Sequence, residues 1–365
     1  DIISSTFSSR LSNIFDPAAD ANINISNANF TNDVTAFANN DVDLIASGGQ
    51  SITGSQDVNT LDLNFTAGEN ILLSAASDTT GINIDGNLTL RAGTGSQGGT
   101  INLVATGSGT TAPRMGQIIV TNRLQADASN PRPSRFSEDN GPDAFGGPIK
   151  VYVSAAGLLH AGSLHLIANA NPFTGNVTTG QSTGGDITIN LSGTGSLIDI
   201  TSSLSATANG SSTTNFNTST GNSGFGGNVT TNVSGGTITA GVLSIDTSGR
   251  ATGNGSGSTN AAMLNGTGGN ISINFTGGTG HTIGTITTFN TAEGRTYTDA
   301  SGAEIEGNAR GGQASLIVNN GGISSVGDTV LGSRTPVLTA FGSQEDLGRT
   351  VNGVVCLSQQ RTPDA

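Results

Sequence analysis

Six segments of the chain open on paired glycines and then alternate apolar with polar residues, as in GGDITINLSG, GGNVTTNVSG and GGNISINFTG. Counting three, five and seven residues from the first glycine gives Ile101, Leu103, Ala105; Ile149, Val151, Val153; Ile187, Ile189, Leu191; Val229, Thr231, Val233; Ile271, Ile273, Phe275; and Ala314, Leu316, Val318. With the two alanines and Thr231 set aside, fifteen of these eighteen positions are aliphatic or Phe, while positions four and six are mostly Asn, Thr, Ser, Lys or Tyr. A period of two is the mark of a strand with one buried face, so each segment predicts a strand.

The pairs begin at Gly98, Gly146, Gly184, Gly226, Gly268 and Gly311, spaced 48, 38, 42, 42 and 43 residues apart, which is a structural repeat. A second short strand follows each first one, seen in GTITAG, GHTIG and GGISSVG, and then a third, seen in VLSID, TITTF and DTVLG. Three short strands cannot bury their apolar side chains alone, but parallel stacking of copies sets each Ile over the Ile of the next. The pattern therefore predicts an all-β parallel β-helix, a solenoid of three short strands per coil. One such coil needs only about 20 residues, which leaves two coils per repeat as an alternative. The second halves, such as RATGNGSGSTNAAMLNGT, lack alternation and predict one coil plus a long Gly/Ser/Asn/Thr loop protruding at one corner.

The expected organisation is a lead-in and possible cap over 1–40, a short-coil β-helix over 41–124, a charged Pro-containing loop over 125–145, a long-repeat β-helix over 146–333 and a tail or cap over 334–365. The lead-in carries Ile23, Ile25, Phe30, Val34 and Phe37, which are suited to early coils. Roughly ten coils at about 4.8 Å each predict a rod on the order of 50 Å. An exposed terminal coil would leave free strand edges, so an end without a cap is expected to dock on a neighbour.

The phrases TAGENILLSA (residues 66–75) and GNLTLRAG (residues 86–93) resemble the repeats of filamentous-haemagglutinin-like exoproteins of two-partner secretion, and autotransporter passengers use similar ones. The likeness spans roughly residues 40–333. It implies a right-handed β-helix, transport through an outer-membrane pore and a role in adhesion or surface structure.

Composition narrows the function. Lys150 is the sole lysine, beside twelve arginines, and the net charge is -13, which argues against nucleic acid as a partner. Gly accounts for 55 residues and there is no Trp, which favours strands and turns over helices. With one cysteine, Cys356, no internal disulfide can close. No run of about 18 apolar residues predicts a membrane span. The sequence begins at Asp1 without a secretion signal, which is read as a removed signal or a piece of a longer protein, and points outward from the cytoplasm.

Candidate chemistry is sparse. Enzymes on β-helices need clustered acids, whereas Asp186 and Asp199 read as isolated; no catalytic residue, cofactor or metal ligand is assigned. GGDITINLS does not fit a calcium-binding nonapeptide, so the glycines are read as supplying corner dihedrals. His160 and His165, five residues apart, should face opposite sides of one continuous strand. The stretch QADASNPRPSRFSEDNGPDAFGG (125–147) stands out for charge. Arg132, Arg135, Glu138, Asp139 and Asp143 are its candidate partner-binding residues.

The expected function is a non-enzymatic stalk or adhesin segment, secreted or on the outer surface of a Gram-negative bacterium. Its loops would meet carbohydrate, extracellular matrix or a host or neighbouring cell surface. A filament subunit that associates end to end is the alternative, and a polysaccharide-degrading enzyme the third reading.

Overall fold

The computed structural model describes residues 2–7, 11–16, 22–47, 51–55, 60–76, 81–107, 116–130, 143–170, 181–214, 222–253, 264–298, 304–305, 309–319, 322–326, 329–331, 337–341 and 355–360. These residues form an all-β structure without helix, in which nearly all strands pair in parallel.

Three ladders of parallel strands carry the core. In the first, Val42, Ile71, Ile101, Ile149, Ile187, Val229, Ile271 and Ala314 stand in register, each on the next strand. Ile52, Ile82, Ile118, Leu159, Ile198 and Ile238 stack likewise in the second. The third stacks Ala36, Phe65, Leu90, Ala126, Leu166, Ala206 and Ile245. Each of these side chains is buried and belongs to one continuous apolar cluster. Burying each large aliphatic contributes about 1.5–3 kcal/mol, so a repeat poor in aromatics still gains a core from its Ile, Leu and Val.

The alternation read from the sequence matches the burial pattern strand by strand, as in Ile187–Leu191 and Val229–Ser234. The expected second and third strands run together as single elements, such as Leu197–Thr207 and Thr237–Asp246, bent by a register shift at Ile200/Ser203. Each long repeat adds one strand to each ladder, since Ile187 pairs with Val229, one repeat on.

Two sequence readings are corrected. The second halves are not simple protruding loops: Gly210–Thr214 pairs in parallel with Gly249–Gly253, and Asn222–Phe225 with Leu264–Thr267, building a second sheet alongside the ladders. Small polar residues can do this because backbone hydrogen bonds between successive repeats replace an apolar face.

The paired glycines are needed for close approach, not for unusual dihedrals. None of the six pairs is among the described glycines with positive φ. The second glycine donates its N–H across the corner to the previous wall: Gly185 to Ala168, Gly227 to Ala208 and Gly269 to Thr247, each at 2.7 Å. A Cβ on any of these glycines would collide with the carbonyl of the corresponding glycine one repeat earlier.

At the chain's two ends, Ile2–Phe7 pairs with Ile23–Phe30 and Val355–Gln360 with Ala314–Asn319, both in parallel. Of the lead-in residues, Ile23, Ile25, Phe30 and Val34 are buried, whereas Phe37 faces outward and Ala36 and Ala38 take the inward positions.

The core becomes less apolar towards the later repeats. Thr231 is fully buried between Ile189 and Ile273, and its Oγ1 has no hydrogen-bond partner. Thr231→Val keeps the shape and removes the stranded hydroxyl, so it is expected to raise stability by about 1 kcal/mol. Urea denaturation of the two chains checks this, and a lower midpoint in the variant would contradict it.

Candidate functional site

The charged loop nominated by the sequence falls largely outside the described residues, including Arg132, Arg135, Glu138 and Asp139. Asp143 is described and has a structural part: its Oδ1 accepts from the backbone N–H of Gln181 at 2.7 Å, tying the loop's end to the next repeat.

The histidines behave differently from expectation. His160 and His165 both lie on outward, half-buried positions, because the strand bends between Ala161 and Leu164 and the alternation changes phase there. The assumption of one continuous strand is what failed. His160 Nδ1 meets Asp199 Oδ2 at 3.0 Å, one rung away, and Asp199 Oδ1 also accepts from Thr239 Oγ1 on the rung beyond. Asp199 thus bridges a histidine and a threonine on the neighbouring rungs. His165 Nδ1 bonds Ser205 Oγ at 2.7 Å; burial, and then the nearby Arg123, hold its pKa below the ordinary value.

His281 is fully buried against Phe275, with ring centroids 5.1 Å apart. Its Nδ1 accepts from the N–H of Ile238 at 3.2 Å while Nε2 lies 3.1 Å from the carbonyl of Gly277. These partners select the neutral ring protonated at Nε2, since a protonated Nδ1 could not accept. Burial pushes its pKa below 6.5, against a smaller opposing effect of the Gly277 carbonyl.

With the folded pKa lowered, the unfolded chain binds more protons just below pH 6.5, so stability is complete above that value and falls as the pH drops beneath it. His165 acts in the same sense. The urea midpoint is expected to be lower at pH 5 than at pH 8, with His281→Gln and His165→Gln each reducing the slope. A midpoint that rises on acidification would refute this.

Other outward polar residues are engaged between rungs. Asn228 donates through its backbone N–H and its amide to Asp186 Oδ1, at 2.8 and 3.1 Å. Asn270 N–H repeats the backbone contact on Asn228, and Gln313 N–H on Asn270, each at 3.1 Å. Along the neighbouring row, Asn274 Nδ2 donates to Asn232 Oδ1 at 2.9 Å, and Asn232 Nδ2 to Asn190 Oδ1 at 3.0 Å. The sequence showed these asparagines as outward positions but not that they form ladders.

On the same face, one rung before Asn190, stand Lys150 and Tyr152, both exposed. They occupy positions four and six after their glycine pair, where the other repeats carry Asn, Thr or Ser except at Val104 and Ile317. Among the described residues no group of three or more His, Cys, Asp or Glu is arranged to hold a metal ion, and no helix is long and apolar enough to cross a membrane. Compared with protein-family models, curated proteins and solved structures, the chain matches none.

Proposed function

We propose that the chain is a non-enzymatic extracellular stalk or adhesin segment of the filamentous-haemagglutinin-like kind, wound as a right-handed parallel β-helix with three strands per coil. The observation that carries this reading is the outward surface. Its Asp and Asn side chains bond their counterparts one rung away, as in Asp186–Asn228 and Asn190–Asn232–Asn274, so among the described residues these polar groups repeat along the rungs in rows. Such a surface suits many weak hydrogen bonds to carbohydrate or matrix, with the loops as the natural meeting points.

The test is electron microscopy of the purified chain together with binding to arrays of glycans and matrix proteins. Uniform rods that bind one glycan or matrix class support the reading; compact particles that bind none overturn it. Release of new reducing or unsaturated ends from acidic glycans would favour a polysaccharide-degrading enzyme instead.

One observation favours a filament subunit as the second reading. Among the described residues Ile2–Phe7 and Val355–Gln360 each pair on one side only, which leaves an edge for another copy at either end. Long fibres of constant width at high concentration would select it.

A further inference from the structure

We propose that Lys150, Tyr152 and Asn190 form a binding site for a terminal pyranose that carries one carboxylate. This deepens the adhesin reading and rests on it.

The strand Ile149–Ser154 turns Ile149, Val151 and Val153 into the core, which sends Lys150 and Tyr152 to the same outer face. Lys150 lies in register between Asn102 and Thr188, and Tyr152 between Val104 and Asn190. Two residues along a strand span about 6.6 Å and adjacent rungs about 4.8 Å, so all three groups fall under one sugar ring and its substituents.

Three features set this place apart from the rest of the described surface. Tyr152 is 38% exposed, and the other large exposed apolar side chains, Phe145 and Val242, share no strand face with a cation. Lys150 makes no ion pair among the described residues. The asparagine ladder also ends here: Asn274 donates to Asn232 and Asn232 to Asn190, but the rung that would accept from Asn190 Nδ2 holds an aromatic ring. The site thus offers a flat apolar ring edged by an ammonium group and an amide donor left over from the ladder.

A pyranose has the complementary chemistry. Its C–H face covers the tyrosine ring, a ring hydroxyl accepts from Asn190 Nδ2, and a carboxylate meets the Lys150 ammonium in a charge-assisted bond. A single carboxylate fits better than a polyanion, because Asp186 is exposed on the same face two positions before Thr188 and the chain carries a net charge of -13.

Isothermal titration of the full chain with a glucuronate-terminated trisaccharide, and with the same trisaccharide ending in glucose, tests the proposal. The acidic sugar is expected to bind about tenfold more tightly, equivalent to about 1.4 kcal/mol. Lys150→Gln should erase that preference, as should 0.5 M salt by screening the exposed charge. Tyr152→Ala should abolish binding of both sugars, while Tyr152→Phe keeps it. All three variants should melt like the parent chain, since the side chains are exposed.

Equal affinity for the two sugars, or binding indifferent to Tyr152→Ala, overturns the site. If glycans or matrix proteins are nevertheless bound in the arrays, the adhesin reading stands on another surface; if nothing is bound anywhere, both fall.

Discussion

Replacing Gly227 by alanine is expected to cost about 3 kcal/mol, the upper part of the range for forcing extra atoms into a well-packed site. The new Cβ would collide with the carbonyl of Gly185 and lie 2.5 Å from the carbonyl oxygen of Gly184 and 2.7 Å from its carbon. All of these are backbone atoms, so no side chain can swing aside. The Gly227 N–H is also fixed to the carbonyl of Ala208 at 2.7 Å, and withdrawing the glycine would break that bond.

The contrasting substitution is Gly280→Ala. Gly280 has φ of +71° and open space around its missing side chain, so only the left-handed conformation is penalised, at about 1 kcal/mol. The difference between the two urea midpoints separates close approach from dihedral freedom as the reason for the paired glycines. Equal losses at both sites would refute the close-approach account.

The largest loss from the apolar core is expected at Phe65. It is fully buried, meets Phe30 edge-to-face with centroids 6.2 Å apart and an interplanar angle of 66°, and stands in register between Ala36 and Leu90. Phe65→Ala opens a cavity beside an alanine too small to fill it and should cost about 3–5 kcal/mol. Phe65→Leu keeps most of the volume and should cost less than about 1.5 kcal/mol. Denaturation of both variants checks the pair; an alanine variant as stable as the leucine variant would show that the wall relaxes inward.

Much of the fold was legible because alternation is local. Ile187, Ile189 and Leu191 announce a one-sided strand within five residues, and a glycine pair marks the start of each copy. The second sheet was not legible: Gly210–Thr214 and Asn222–Phe225 lack an apolar face, and their strands form because the next repeat supplies backbone partners. The bend inside Leu158–Ile167 was missed for a similar reason, since it reverses the facing of His165 without a change in composition.

The site followed the same division. The sequence placed Lys150 and Tyr152 outward, because facing depends only on parity along one strand, but its candidate residues were those of the charged loop and not these two.

The sequence by itself determined the strands that alternate after each glycine pair, the faces those strands bury, that the unit repeats, and that charge is sparse with acids outnumbering bases. Tertiary structure decided which outward residue stacks on which. The contact of His160 with Asp199 joins residues 39 apart, and the repeat spacings of 48, 38, 42, 42 and 43 leave such partners free to shift. Only the register of the ladders, set by backbone hydrogen bonds and the fit of Ile upon Ile, fixes those pairs. The same register presses the glycine pairs together and ends the asparagine ladder at Tyr152.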